Sequence, residues 1–216
     1  MTDIVRTTRE IVGRDEINDL EEILMLGPPP VDEIIREIQA DGAIRFTWDY
    51  DQARPALEKL YEKAKRSQWN AATDIDWSQD VDPERIARGL LEAHPEMLLY
   101  QQKAKDDPTI PLYGWTDEQF VQLAIEYQTQ FLSQIVHGEQ GALMCTAKIC
   151  EQVPWLEAKY YASTQVMDEA RHVEVFSRYL DTKLRGHHPI SGHLLALLED
   201  VLGDARWDIT YLGSRS

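Results

Sequence analysis

Apolar residues return at helical spacing along most of the chain, and the breaks between the runs are marked by proline and glycine. Ile17, Leu20 and Leu24 stand at i, i+3 and i+7, and their run ends at Gly27-Pro28-Pro29-Pro30, which no helix survives. Residues 1–30 therefore read as an N-terminal helical arm with a proline-rich linker. Val31 to Ala40 reads as a short helix and Ile44 to Trp48 as an extended segment. From Arg54 to about Gln68, Leu57, Leu60, Tyr61 and Ala64 recur at i, i+3, i+4 and i+7, the signature of an amphipathic helix. The stretch from Trp69 to Asp82 has no period. Asp82-Pro83-Glu84 opens the next helix, with Asp82 as its cap and Pro83 at its first position. That helix stops before His94-Pro95, a further one carries Met97 to Lys105, and Pro108 to Gly114 form a turn-rich connection.

The most regular part of the chain begins at Thr116. Thr116-Asp117-Glu118-Gln119 is a capping box, in which the threonine hydroxyl and the Gln119 amide each meet an orphan backbone N–H. A long helix is predicted from there to Gln152. Pro154 ends it and suits the first turn of a second helix, which runs to about Lys183 and stops by Gly186. Residues 187–193 read as a loop, Leu194 to Leu202 as an apolar helix, and Asp204 as the cap of a last short one. No tandem repeat is visible. The expected class is all-α: an antiparallel helical hairpin of about 116–152 and 154–185 with shorter flanking helices, in one main domain over 31–216.

Charge narrows the partners. The 216 residues carry 38 acidic and 22 basic side chains, a formal charge of −16, so the summed field repels phosphate backbones and anionic lipid surfaces. Nucleic acid and membrane are not expected partners. The first residues lack the basic-then-apolar pattern of a secretion signal, and no apolar run is long enough to span a bilayer, so a cytoplasmic location is the default. Cys145 and Cys150, five apart on one predicted helix, point in different directions and cannot pair with each other. They read as core thiols of a reducing compartment.

Candidate chemistry lies on the two long helices. Phe131, Leu132, Ile135, Val136, Ala142, Leu143, Thr146 and Ala147 fall on one stripe of the first, and Glu139 sits in the middle of it. An ionised carboxylate in an apolar interior costs several kcal/mol unless a cation pairs with it. The second helix presents Asp168-Glu169-Ala170-Arg171-His172, where Glu169 and His172, three apart, share a face with Ala162, Val166, Val173, Phe176 and Leu180. Carboxylate oxygen with imidazole nitrogen suits iron, manganese or zinc rather than calcium or magnesium. Glu139 and Glu169 are each fifteen residues from Pro154, about 22 Å along either helix at ~1.5 Å rise per residue. In an antiparallel hairpin the two carboxylates are level, with His172 one turn away. The competing explanation is a core glutamate paired with Arg171, but Arg171 points about 100° away from His172 and is better placed to hold Asp168.

A glutamate-bearing helix followed by a helix with Glu-x-x-His resembles the ferritin-like di-iron carboxylate superfamily, in its ribonucleotide-reductase-like and bacterial oxygenase branch, over residues 115–212. The resemblance implies a ferritin-like bundle in which Glu139 is the first-helix ligand, Glu169 the bridging carboxylate and His172 the terminal imidazole. Asp168 would fix a histidine's orientation from behind the ligands, with Arg171 beside it. The cofactor implied is a pair of irons, with manganese as the other metal. Four residues on from His172, where radical-generating reductase subunits carry tyrosine, stands Phe176, which disfavours a stable tyrosyl radical.

The superfamily pattern occurs twice per four-helix bundle and here once. Trp207 to Leu212 reads as a third bundle helix cut short, leaving Trp207, Tyr211 and Leu212 as unpaired apolar surface. Either the chain is a truncated member of the family, or two copies each supply a half-site across a two-fold axis. Three functions follow as alternatives: a di-iron oxidase or oxygenase with a small-molecule substrate and an electron donor, a ferritin-like iron-binding or storage module with the site shared across a homodimer, or an inactive truncated homologue. Two further groups are weaker. His187, His188 and His193 read as a solvated loop, and Asp74, Asp76 and Asp80 lack the glycine and closing glutamate of a calcium loop.

Overall fold

The computed structural model describes residues 37–51, 53–184 and 186–213. The arm and linker read over 1–30, and residues 31–36 of the short helix expected from Val31, lie outside them. Among the described residues all regular structure is helical and no strand occurs. The α-helices are α1 (Pro55–Arg66), α2 (Pro83–Ala93), α3 (Pro95–Asp106), α4 (Asp117–Gln152), α5 (Leu156–Tyr179), α6 (Gly192–Gly203) and α7 (Trp207–Gly213), with a π-helical turn at Leu180–Leu184. The all-α expectation stands. Residues 37–40 carry no helix, and Ile44 to Trp48 form no strand. Arg45 instead tethers the segment to the end of α4, its backbone N–H donating to the Glu151 carbonyl at 2.9 Å and its guanidinium to the Gln152 carbonyl at 2.9 Å.

The described residues divide into two units. One lies within 77–133 and 178–189 and holds α2, α3 and the first half of α4. Asp82 caps α2 by accepting from the Arg85 N–H at 3.0 Å. The box at the start of α4 is reciprocal, since the Thr116 N–H donates to the Gln119 amide oxygen (2.8 Å) and the Gln119 N–H to the Thr116 hydroxyl (3.3 Å). Gly114, at φ 76°, takes the left-handed conformation of the turn before α4, which its missing Cβ permits, and its N–H closes on the Ala104 carbonyl at 2.8 Å. Ala87, Leu91, Ala104, Trp115, Phe120 and Val121 form the core of this unit, Trp115 meeting Phe120 edge-on at 5.5 Å. The regular part of the second long helix ends at Tyr179, earlier than its apolar period predicts, and widens into the π turn. There Lys183 donates to the Trp77 and Gln79 carbonyls at 2.9 and 2.6 Å.

The other unit lies within 37–76, 134–177 and 190–213 and holds α1, the second half of α4, nearly all of α5, α6 and α7. The second half of α4 and α5 form the antiparallel hairpin predicted to turn at Pro154. Lys159, in the first turns of α5, donates to the Cys150 and Glu151 carbonyls at 2.8 and 3.1 Å, placing a cation on the negative end of α4. α6 packs so closely on α4 that a Cβ at Gly141 would collide with Leu198. Lys148, only 7% exposed, reaches from α4 to the carbonyls of Leu202 (2.5 Å) and Asp204, the C-terminal end of α6.

Two expectations are corrected here. Asp204 does not cap the last helix: its carboxylate accepts from the Arg206 N–H at 2.7 Å, ahead of α7, while its own N–H closes α6 on Asp200 at 3.2 Å. Trp207 is not unpaired, because it lies edge-on to Trp155 at 6.0 Å and packs on the cluster of Ile149, Val153 and Ala162. Tyr211 and Leu212 are exposed as expected. No described helix is long and apolar enough to cross a membrane.

Candidate metal centre

α4 carries Glu139 at mid-length, and α5 carries Glu169 and His172 one turn apart on the side turned to α4. The hairpin brings all three together. His172 Nδ1 lies 3.2 Å from Glu139 Oε2 and 3.1 Å from Glu169 Oε2, and one ligand atom from each residue lies within 4.8 Å of the other two. The hairpin thus holds the level pairing expected from equal distances to Pro154. Among the described residues this is the one group of three side chains able to hold a metal.

The surroundings differ from the dry core that the apolar stripe predicts. Side-chain exposure is 24% for Glu139, 18% for Glu169 and 41% for His172. Phe131, at the edge of the stripe, is itself exposed, whereas the most buried positions of α4 in this unit are Gly141, Cys145, Thr146, Lys148, Ile149 and Gln152. α6 covers the back of α4 and leaves the ligand face half open.

Electrostatically the group is short of positive charge. Burial, and after it a hydrogen bond shared with Glu139, push the Glu169 carboxyl above its usual value, while His172 pulls it down. Two carboxylates this close cannot both ionise cheaply without a cation between them. Among the described residues no lysine or arginine forms an ion pair with either. A divalent metal at the shared oxygens would replace the proton, and the donor set of two carboxylates and one imidazole fits iron, manganese or zinc.

Arg171 is not the missing cation. It points about 100° away from His172, 4% exposed, paired with Asp168, donating to Gln68 Oε1 at 2.7 Å and the Trp69 carbonyl at 3.2 Å, and resting over the Trp69 ring at 5.2 Å. A core glutamate paired with Arg171 is therefore not what the hairpin contains. Asp168 is bound up in the same cluster, accepting from Arg171 and from Gln165 at 3.4 Å. Gln68 and Trp69 were not legible as part of this cluster, since about a hundred residues separate them from Arg171.

The weaker candidates resolve separately. His187 pairs with Asp181 at 2.6 Å and is exposed, as is His193 at the start of α6. His188 corrects the solvated-loop reading: it is 5% exposed, its ring lies 3.6 Å from Glu126, and its N–H donates to the Ser133 hydroxyl at 3.0 Å. Asp74 closes a turn on Asn70 and Thr73, whose hydrogen bonds hold its carboxyl below the usual range. Phe176 is half-buried on α5. Compared with known proteins, the chain matches no family model, no curated protein and no solved structure.

Proposed function

We propose that Glu139, Glu169 and His172 are half of a carboxylate-bridged dinuclear centre in a ferritin-like helical bundle, with iron as its first metal and manganese as the alternative. The protein would then be an oxidoreductase of the oxidase or oxygenase type, taking a small-molecule substrate and electrons from a donor. The observation that carries this reading is the level placement of two carboxylates on facing helices around one imidazole, beside which the carboxyl of Glu169 is raised by burial and by its hydrogen bond with Glu139. A bound metal pair would supply dioxygen activation. The chain's own Glu139, Glu169 and His172 would hold the pair, and the half-open face would let a small molecule reach it.

A full centre of this type takes a glutamate from each of two helices and a Glu-x-x-His from each of two others. Two copies of this hairpin related by a two-fold axis provide that set, and their four carboxylates balance two divalent cations. The half-open ligand face supports such pairing. A second reading, iron binding or storage by the same shared site, is favoured by the formal charge of −16, which draws cations toward the protein.

The test is anaerobic Fe(II) titration with metal analysis of the purified protein and of Glu169→Ala, alongside molar mass in solution. One metal pair per dimer, lost in the variant, is the expected result. Equal iron in both proteins would overturn the site, and stoichiometric iron that accumulates beyond one pair would favour storage over oxygenation.

A further inference from the structure

The segment from Ile44 to Tyr50 carries apolar side chains at alternate positions, and Ile44, Phe46 and Tyr50 are 75%, 75% and 66% exposed. Such exposure of neighbouring large apolar groups calls for an occupant. These three residues do not face open solvent alone. They form one wall of a groove of about 550 Å³ whose other wall is the hairpin, through Ala147 of α4 and Leu156 and Val166 of α5. That volume is in the range of pockets that enclose small organic ligands, and the lining is largely apolar.

The polar groups at the rim say what kind of ligand fits. Arg45 and Lys159 border the groove, but each spends its hydrogen bonds on the carbonyls that end α4, Arg45 on Gln152 and Lys159 on Cys150 and Glu151. The Glu151 carboxylate stands beside them. Neither cation is presented to an anionic headgroup, and the helix end they cover is itself negative. We propose that this groove binds a neutral, largely apolar small molecule. Val166 precedes Glu169 by three residues, so the inner end of the groove lies about 4.5 Å of helix rise from the proposed metal ligands. On the metal reading, and resting on it, the guest is the substrate of that centre.

Cys150 lines the groove and is partly exposed, whereas Cys145 is 1% exposed. The thiol is a built-in reporter. Metal-free protein is titrated with N-phenyl-1-naphthylamine, a neutral apolar fluorophore, and separately alkylated with N-ethylmaleimide with and without it, the modified cysteine being located by peptide mass. The expected result is saturable binding of one fluorophore per chain, alkylation of Cys150 slowed in proportion to occupancy, and affinity weakened about tenfold or more in Ala147→Phe, which fills the groove from α4. The alkylation arm uses the unsubstituted protein and needs no variant to fold. Unsaturable fluorescence, or Cys150 alkylation indifferent to the probe, would overturn the proposal. So would protection of Cys150 that rises with protein concentration alone, since a second copy would then occupy the groove. Because no metal is present, failure here leaves the metal reading standing, and loss of iron binding leaves the groove standing.

Discussion

Two charged clusters interleave on α5, Asp168 with Arg171 and Glu169 with His172, one residue apart in sequence and about 100° apart around the helix. On one face Arg171 is buried, its terminal nitrogens bonded to an aspartate, a glutamine and a backbone carbonyl, with its guanidinium over an indole face. On the other, Glu169 and His172 meet Glu139 with two carboxylates to one imidazole and, among the described residues, no lysine or arginine paired with them. The first cluster balances its own charge around a buried guanidinium. The second is half-exposed and unbalanced, with two carboxylates facing one imidazole. Charge near the core therefore takes two forms in this protein, one neutralised by its own partners and one left with an excess of carboxylate.

The largest effect that sharpens this contrast is expected from Arg171→Ala. It removes the guanidinium from four partners and strands Asp168, which at 30% side-chain exposure can partly resolvate. The cost to the metal-free protein should be roughly 3 kcal/mol, measured by urea denaturation. Glu169→Gln should do the reverse in the same assay. Without metal it relieves a carboxylate pair, so stability stays level or rises, while metal affinity falls more than about 100-fold. If both variants cost the metal-free protein equally, the two clusters are the same kind of structural pair and the contrast fails.

The contrast also has a pH signature. The folded Glu169 carboxyl binds its proton more tightly than the unfolded chain, whose value is about 4.5. Its contribution to metal-free stability is therefore fully present below pH 4.5 and is lost as pH rises through the higher folded value. Denaturation midpoints of metal-free protein should show this loss above pH 4.5, and Glu169→Gln should flatten it. Metal, competing with the same proton, should be released as pH falls across that window.

How much of this was legible follows from the range of the interactions. The cap at Asp82, the box at Thr116 and Gln119, and the hairpin about Pro154 are set by residues a few positions apart, and each is where the sequence predicts it. The three candidate ligands were legible too, because helix rise and a single turn suffice to make Glu139 and Glu169 level. What covers each face was not. Gly141 and Lys148 are buried because α6, some fifty residues on, lays Leu198 and its terminal carbonyls over them. The stripe centred on Glu139 is only half-buried, since no described element lies across it in the same way. Hydrophobic period tells which residues share a face, and only tertiary partners decide which face is closed.

The smallest expected effect is the most discriminating. Asp168 is adjacent to Glu169 in sequence, and the family resemblance places it behind a histidine ligand, yet its carboxylate is bonded to Arg171. In Asp168→Asn the amide oxygen can still accept from Arg171, which also keeps Gln68 and Trp69. The stability cost should thus be about 1 kcal/mol or less for a pair with one member part-exposed. Iron stoichiometry and affinity should be unchanged. If affinity instead falls by about 10- to 100-fold, the size of loss produced by removing a residue that orients a metal ligand, Asp168 turns to the histidine when metal binds. The two faces of α5 would then be one coupled system, and Arg171→Ala would have to weaken metal binding as well as stability.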